Sequence, residues 1–131
     1  MQKKALVIID IQNDITKNYK DVIGNINQAV DWAVDNKIHV IYIRHENLSA
    51  GTRTFKPGTP GAELVSDLKI VSKNVFTKCK GNALTSEGFA AFISKNDICD
   101  FYIAGADAAA CVKSTCYNLR KANYKVNVLS D

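Results

Sequence analysis

Four cysteines, Cys79, Cys99, Cys111 and Cys116, carry the most reactive side chains in this sequence, and one of them stands apart. Cys111 closes a turn of small residues, GADAAAC, between an apolar run and a helical pattern. A helix start favours the thiolate, and thiols so placed titrate at roughly 3.5–7.5. Backbone N–H groups at the same terminus could hold the oxyanion of a tetrahedral intermediate. The chemistry this offers is nucleophilic attack on a carbonyl. The alternative is a small residue packing a helix against a sheet, which is the reading given to Cys99 and Cys116. Asp10 is the second candidate. It ends an apolar run directly, and a carboxylate there is a poor core residue unless paired. It is either a base that takes a thiol proton and later activates water, or a cap for the turn that follows. Asn13 and Asp14 could cap that turn equally well. Lys78, in VFTKCKG, is two positions from an equally basic Lys80, and neither composition nor spacing separates the two.

Other thiol and metal chemistry has less behind it. None of the cysteine spacings is CxxC, and no histidine lies near enough in sequence to suggest a zinc site. A thiol redox protein would pair Cys111 with Cys79 or Cys116, but Cys116 falls on an apolar helix stripe. Cys79, beside Lys78, could form a disulfide after oxidation. Of the two histidines, His39 lies inside a strand and His45, followed by Glu46, reads as a polar residue at a strand end. The expectation is no metal and no cofactor.

These residues need elements to bring them together. Residues 4–9, KALVII, form a short run rich in β-branched residues, as in a buried parallel strand. From Lys20 to Lys37 the residues Val22, Ile23, Ile26, Ala29, Val30, Ala33 and Val34 recur at helical spacing, with Trp32 at the edge of the stripe. IHVIYI at 38–43 is a second strand, which makes a βαβ unit with a right-handed crossover. Residues Asn47–Gly61, rich in Gly, Thr and Pro, form a loop long enough to be functional. A short helix is expected over 61–68 and an extended segment over IVSKNVF at 70–76. Thr85 or Ser86 can cap a helix running to Lys95 with Phe89, Ala90, Phe92 and Ile93 on its apolar side. DFYIAG at 100–105 is a third strand, 109–123 a helix with Val112, Cys116 and Leu119 on one stripe, and 125–130 the last strand.

Alternation of this kind predicts a three-layer α/β/α domain with a mostly parallel, Rossmann-like sheet. Such sheets bind ligands at the carboxyl ends of their strands. Asp10 and the Gly105–Cys111 turn both fall at such ends.

The totals fit this picture. The 131 residues make one domain, 1–131, and 47% hydrophobic with 23% charged residues is ordinary for a soluble globular chain. The net charge of +4 is scattered, with no aromatic interleaving, so no nucleic-acid partner is expected. The basic start, MQKKALVIID, has its apolar run cut by Asp10 and no cleavage site, and no stretch approaches a membrane span. The expected location is cytoplasmic, with four reduced thiols.

Four stretches carry a family resemblance. LVIIDIQND is similar to the opening strand of isochorismatase-like hydrolases, which ends in Asp and is followed by Gln and Asn-Asp. KPGTPGAEL resembles their Gly-Thr-Pro-Gly segment, and NVFTKCKGNAL their lysine segment. YIAGADAAACVKSTCYNLRKANYKVNVLSD resembles their nucleophile region, with six positions from Gly to Cys and a closing strand that ends in Asp. The motifs occur in the family's order and cover nearly the whole chain.

The resemblance implies a Cys111–Asp10–Lys78 triad that cleaves a C–N bond of a small amide, ureido or carbamoyl compound through a thioester. It also implies a non-proline cis peptide at Ala106–Asp107, turning the Asp107 N–H toward the oxyanion beside that of Cys111. Gln12, Asn47 and Phe55, positioned after strand ends, are candidate pocket residues. A homo-oligomer is the family's usual state, and relatives usually continue with a further helix and strand. The sequence departs from the family at Ile15, where Phe is common, at Ala108, where Thr is common, and at Asp107, usually small and neutral. It lacks the Asp-x-His pair with which the nicotinamidase branch binds its metal. The alternatives are the thiol redox protein and an inactive binding or scaffold domain of this fold.

Overall fold

The computed structural model describes residues 3–16, 19–105 and 111–129. Strand β1 (Lys4–Ile9) is followed by one turn of helix, α1 (Asn13–Thr16), and by α2 (Lys20–Asp35). Then come β2 (His39–His45), β3 (Val75–Lys78), α3 (Glu87–Lys95), β4 (Asp100–Gly105), α4 (Lys113–Lys121) and β5 (Lys125–Val128). The strands form one sheet in the order β3-β2-β1-β4-β5, and each pairing is parallel. This is the expected α/β architecture. The order reverses between β1 and β4, so the crevice at their carboxyl ends is the place where such a sheet opens to a ligand.

Alternation along the strands builds two cores. Ala5, Val7 and Ile9 of β1, with Ile41, Ile43, Phe101 and Ile103, face α3 and α4 through Phe89, Ile93, Cys116 and Leu119. Leu6 and Ile8, with Val40, Tyr42 and Ala104, face α2 through Ile23, Ile26, Val30 and Ala33. A central parallel strand is covered on both sides, which is why KALVII is continuous rather than alternating. Trp32 lies at the edge of its stripe as expected, 40% exposed, with its ring edge-on to Tyr102 at 5.0 Å.

Several boundaries differ from the expected ones, α2 closing at Asp35 and α4 spanning Lys113–Lys121 among them. The helix expected over 61–68 is a single 3-10 turn, Pro60–Ala62. Beyond it the backbone is spent on the β1 exit instead, with Asn13 N–H donating to Glu63 O and Val65 N–H to Ile11 O. The extended segment begins at Val75, not Ile70. Residues before it are held by side chains: Tyr42 Oη donates to Lys69 O at 2.6 Å and Ser72 Oγ to Val40 O at 2.6 Å. Strand β2 runs two residues further than expected, to His45. Cys99 is exposed rather than packed, while Cys116 is buried as read. Among the described residues no helix is long and apolar enough to cross a membrane.

Candidate active site

Asp10 follows β1 with φ at +61°, a left-handed conformation that Asp tolerates better than most residues. Its N–H still bonds Ile43 O at 3.0 Å, so the chain turns out of the sheet only after the ladder to β2 is complete. The side chain is fully buried. Lys78 ends β3, and its side chain is fully buried too, with Nζ 3.4 Å from Asp10 Oδ1. Water cannot solvate either charge, so each depends on the other.

Cys111 belongs to a wide helical turn that leads into α4 and is half-buried. Its thiol is pushed up to about 11, first by burial, then by the adjacent Asp10 carboxylate, which favours the protonated thiol and repels the thiolate. The Lys78 ammonium acts in the opposite direction, through its charge and a hydrogen bond, and is outweighed. Burial and the Asp10 carboxylate thus work against the thiolate that a helix start favours. Neither carboxylate oxygen of Asp10 has a hydrogen-bond partner among the described residues, and its one ion pair is with Lys78. A buried carboxylate beside a thiol, with an ammonium next to the carboxylate, is equipped to move one proton and steady the charge left behind.

Two glycines permit close approaches around these elements. A Cβ on Gly105 would come within 2.7 Å of both Ile9 O and Val112 Cγ2, so a side chain there would push α4 off the end of β1. A Cβ on Gly61 would collide with the Asp14 carboxylate.

Of the candidate pocket residues, Gln12 is fully buried and its amide is committed to backbone. Nε2 donates to His45 O at 2.9 Å and Ala62 O at 2.6 Å, and Oε1 accepts from His45 N–H at 2.8 Å. It ties the ends of β1 and β2 to the 60–62 turn. Asn47 N–H donates to Phe55 O at 2.9 Å and its Oδ1 accepts from Ser49 N–H, closing the base of the long loop. Phe55 is buried in the left-handed region at φ +56°, held by its N–H to Asp14 Oδ2 at 2.7 Å. Its ring meets His45 edge-on at 5.8 Å.

His45 is the residue that the sequence reading passed over. Its Nδ1 lies 2.9 Å from Lys78 Nζ. The signal available was its place as the last residue of a strand that neighbours the Asp10 strand. That same ammonium makes Nδ1 unsuited to a cation. Among the described residues no group of three or more His, Cys, Asp and Glu side chains could hold a metal ion. The Ala106–Asp107 peptide and its oxyanion N–H lie outside the described residues. Cys79 is exposed, on a bend just past β3.

A family model described as the isochorismatase domain matches residues 4–131. Among solved structures, N-carbamoylsarcosine amidase from Thermoplasma acidophilum superimposes with a TM-score of 0.84 at 20% identity, covering 98% of this chain and 82% of that one. A cysteine hydrolase from Pseudomonas syringae pv. phaseolicola 1448A gives 0.85 at 18% identity, over 98% and 71%. An isochorismatase family protein from Desulfovibrio vulgaris subsp. vulgaris str. Hildenborough gives 0.85 at 20%, over 98% and 80%. At these identities the likeness shows the shared fold. No curated protein matches the sequence significantly.

Proposed function

The chain belongs to the isochorismatase family of hydrolases, and from that premise we propose that it cleaves a C–N bond of a small amide, ureido or carbamoyl compound, with Cys111 as nucleophile. The observation that supports this best is the buried Asp10–Lys78 pair, 3.4 Å apart, interacting with the Cys111 thiol at the strand ends. Acyl transfer explains why such a pair is kept where it costs solvation. The similarity to an N-carbamoylsarcosine amidase points the same way.

The reaction begins as Asp10 takes the thiol proton and sulfur bonds to the substrate carbonyl carbon, giving a tetrahedral oxyanion. Lys78 balances the negative charge that passes between carboxylate and sulfur. Asp10 returns its proton to the departing nitrogen, the C–N bond breaks, and an acyl thioester remains on Cys111. Asp10 then deprotonates a water that attacks the thioester. The carboxylate or carbamate product leaves, and sulfur recovers its proton from Asp10. Burial and the Asp10 charge favour the protonated thiol, so the base acts together with substrate binding.

The test is a panel of small amides, ureas and carbamoyl amino acids, assayed for amine release. Mass spectrometry of acid-quenched samples would look for an acyl adduct on Cys111. Turnover of at least one compound, an adduct on the Cys111 peptide, and loss of both in Cys111→Ala are expected. No release from any compound, or release that persists in Cys111→Ala, sinks the reading.

A further inference from the structure

We propose that His45 is a positioning residue for Lys78, holding its ammonium as a neutral imidazole that accepts at Nδ1 and carries its hydrogen on Nε2. The inference rests on the triad reading above and adds to it the group that aims the lysine.

Parallel pairing sets His45 and Lys78 directly opposite one another at the ends of β2 and β3, with Nδ1 and Nζ 2.9 Å apart. The Lys78 side chain has no exposure, so its three N–H groups must find protein acceptors. Asp10 Oδ1 at 3.4 Å is its ion-pair partner, and His45 Nδ1 at 2.9 Å is its hydrogen-bond acceptor. The Cys111 thiol is a further group on which the ammonium acts. An imidazole acceptor at 2.9 Å and a carboxylate at 3.4 Å fix where the ammonium's charge points. An imidazolium would offer no lone pair and would set two cations in contact.

His45 is itself well fixed. Gln12 bonds its backbone N–H and C=O at 2.8 and 2.9 Å, and the Phe55 ring packs on its own. Phe55 is held in turn by Asp14. The long loop thus reaches Lys78 through Phe55 and His45, with Asp14 of α1 anchoring Phe55. His45 touches the lysine, not the substrate, in this scheme.

The experiment uses the full chain. Nitrogen-15 NMR reads the His45 tautomer, and peptide-resolved iodoacetamide labelling at pH 9 reads the Cys111 thiolate fraction separately from the exposed Cys79 and Cys99. The expected tautomer has Nε2 protonated and Nδ1 bare and hydrogen-bonded. Lys78→Ala and His45→Leu should each slow Cys111 labelling by about tenfold, the effect of a one-unit rise in thiol pKa. His45→Asn, whose amide oxygen can stand where Nδ1 stood, should recover most of the parent rate. An Nδ1–H tautomer in the parent chain overturns the proposal. So does an unchanged rate in His45→Leu where Lys78→Ala is slowed. If Lys78→Ala is itself unchanged, the triad reading fails first and takes this proposal with it.

Discussion

Strands β1 and β3 both end in a buried charge, but they reach it in opposite ways. In β1 the residues from Ala5 to Ile9 are buried, and Asp10 is the polar terminus of an apolar element. In β3 Val75 and Thr77 are exposed, Phe76 is half-buried, and Lys78 alone is buried. The edge strand points its valine outward and its lysine inward. Polarity predicts burial where the core decides the matter, and fails where a site does. The difference also explains what could be read in advance. Asp10 stood out as a carboxylate against an apolar background. Lys78 had no such background, since its strand is an edge with little burial to leave a pattern, and only the family resemblance separated it from Lys80.

The strongest way to break the comparison is at the β1 end. Asp10→Asn keeps the shape and tolerates the left-handed backbone, but it removes the base. Turnover should fall by about 10²–10⁴-fold, the usual range for a lost general base. The same substitution removes a charge that holds the thiol up, so Cys111 should alkylate faster at pH 9 while hydrolysis collapses. A parallel fall in both would mean that Asp10 supports structure and not proton transfer.

At the β3 end the expected loss is in stability. Lys78→Met fits the same space but leaves the Asp10 carboxylate buried without its cation, a change worth about 3–5 kcal/mol. The double variant Asp10→Asn with Lys78→Met should recover much of that loss in urea unfolding. If the double variant were no more stable than Lys78→Met alone, the two strand ends would not be coupled and the pair would lose its standing as a unit.

Cys111 links the two ends, and its titration gives a smaller effect of fixed sign. Its folded pKa, about 11, lies above that of an unfolded thiol. The contribution is therefore complete below the unfolded value and is lost as pH rises from about 9 toward 11, where the unfolded thiol ionises first. Thermal unfolding across that range should fall less steeply in Cys111→Ala than in the parent. An identical slope would show that the thiol's environment is no different in the two states.

Much of the architecture was legible because burial on two faces writes long apolar runs. β1 and β4 were read with their bounds intact, and the stripe of α2 pointed the right way. Where backbone groups bond across the chain the signal disappears. The 61–68 segment has helix-compatible residues, yet its N–H and C=O groups pair with residues 11–13, and no local pattern records such a choice. His45 was missed for a similar reason: its importance lies in the register of β2 against β3, which depends on both strands at once.

Val75 gives the smallest effect and the cleanest control. It occupies the same short strand as Lys78 but is 37% exposed, so Val75→Thr removes little buried surface and leaves a β-branched residue in an edge position. The change in unfolding free energy should stay within about 0.5 kcal/mol, as for most surface substitutions. Cys111 labelling should be unaltered. Three positions along, Lys78→Met should exceed that effect several-fold although it makes the strand more apolar. A substitution that adds hydrophobicity and destabilises, set beside one that removes it without consequence, is the signature of a strand organised around its terminal charge. If Val75→Thr instead proved as costly as Lys78→Met, β3 would be sensitive along its whole length, and the burial of Lys78 would carry no special meaning.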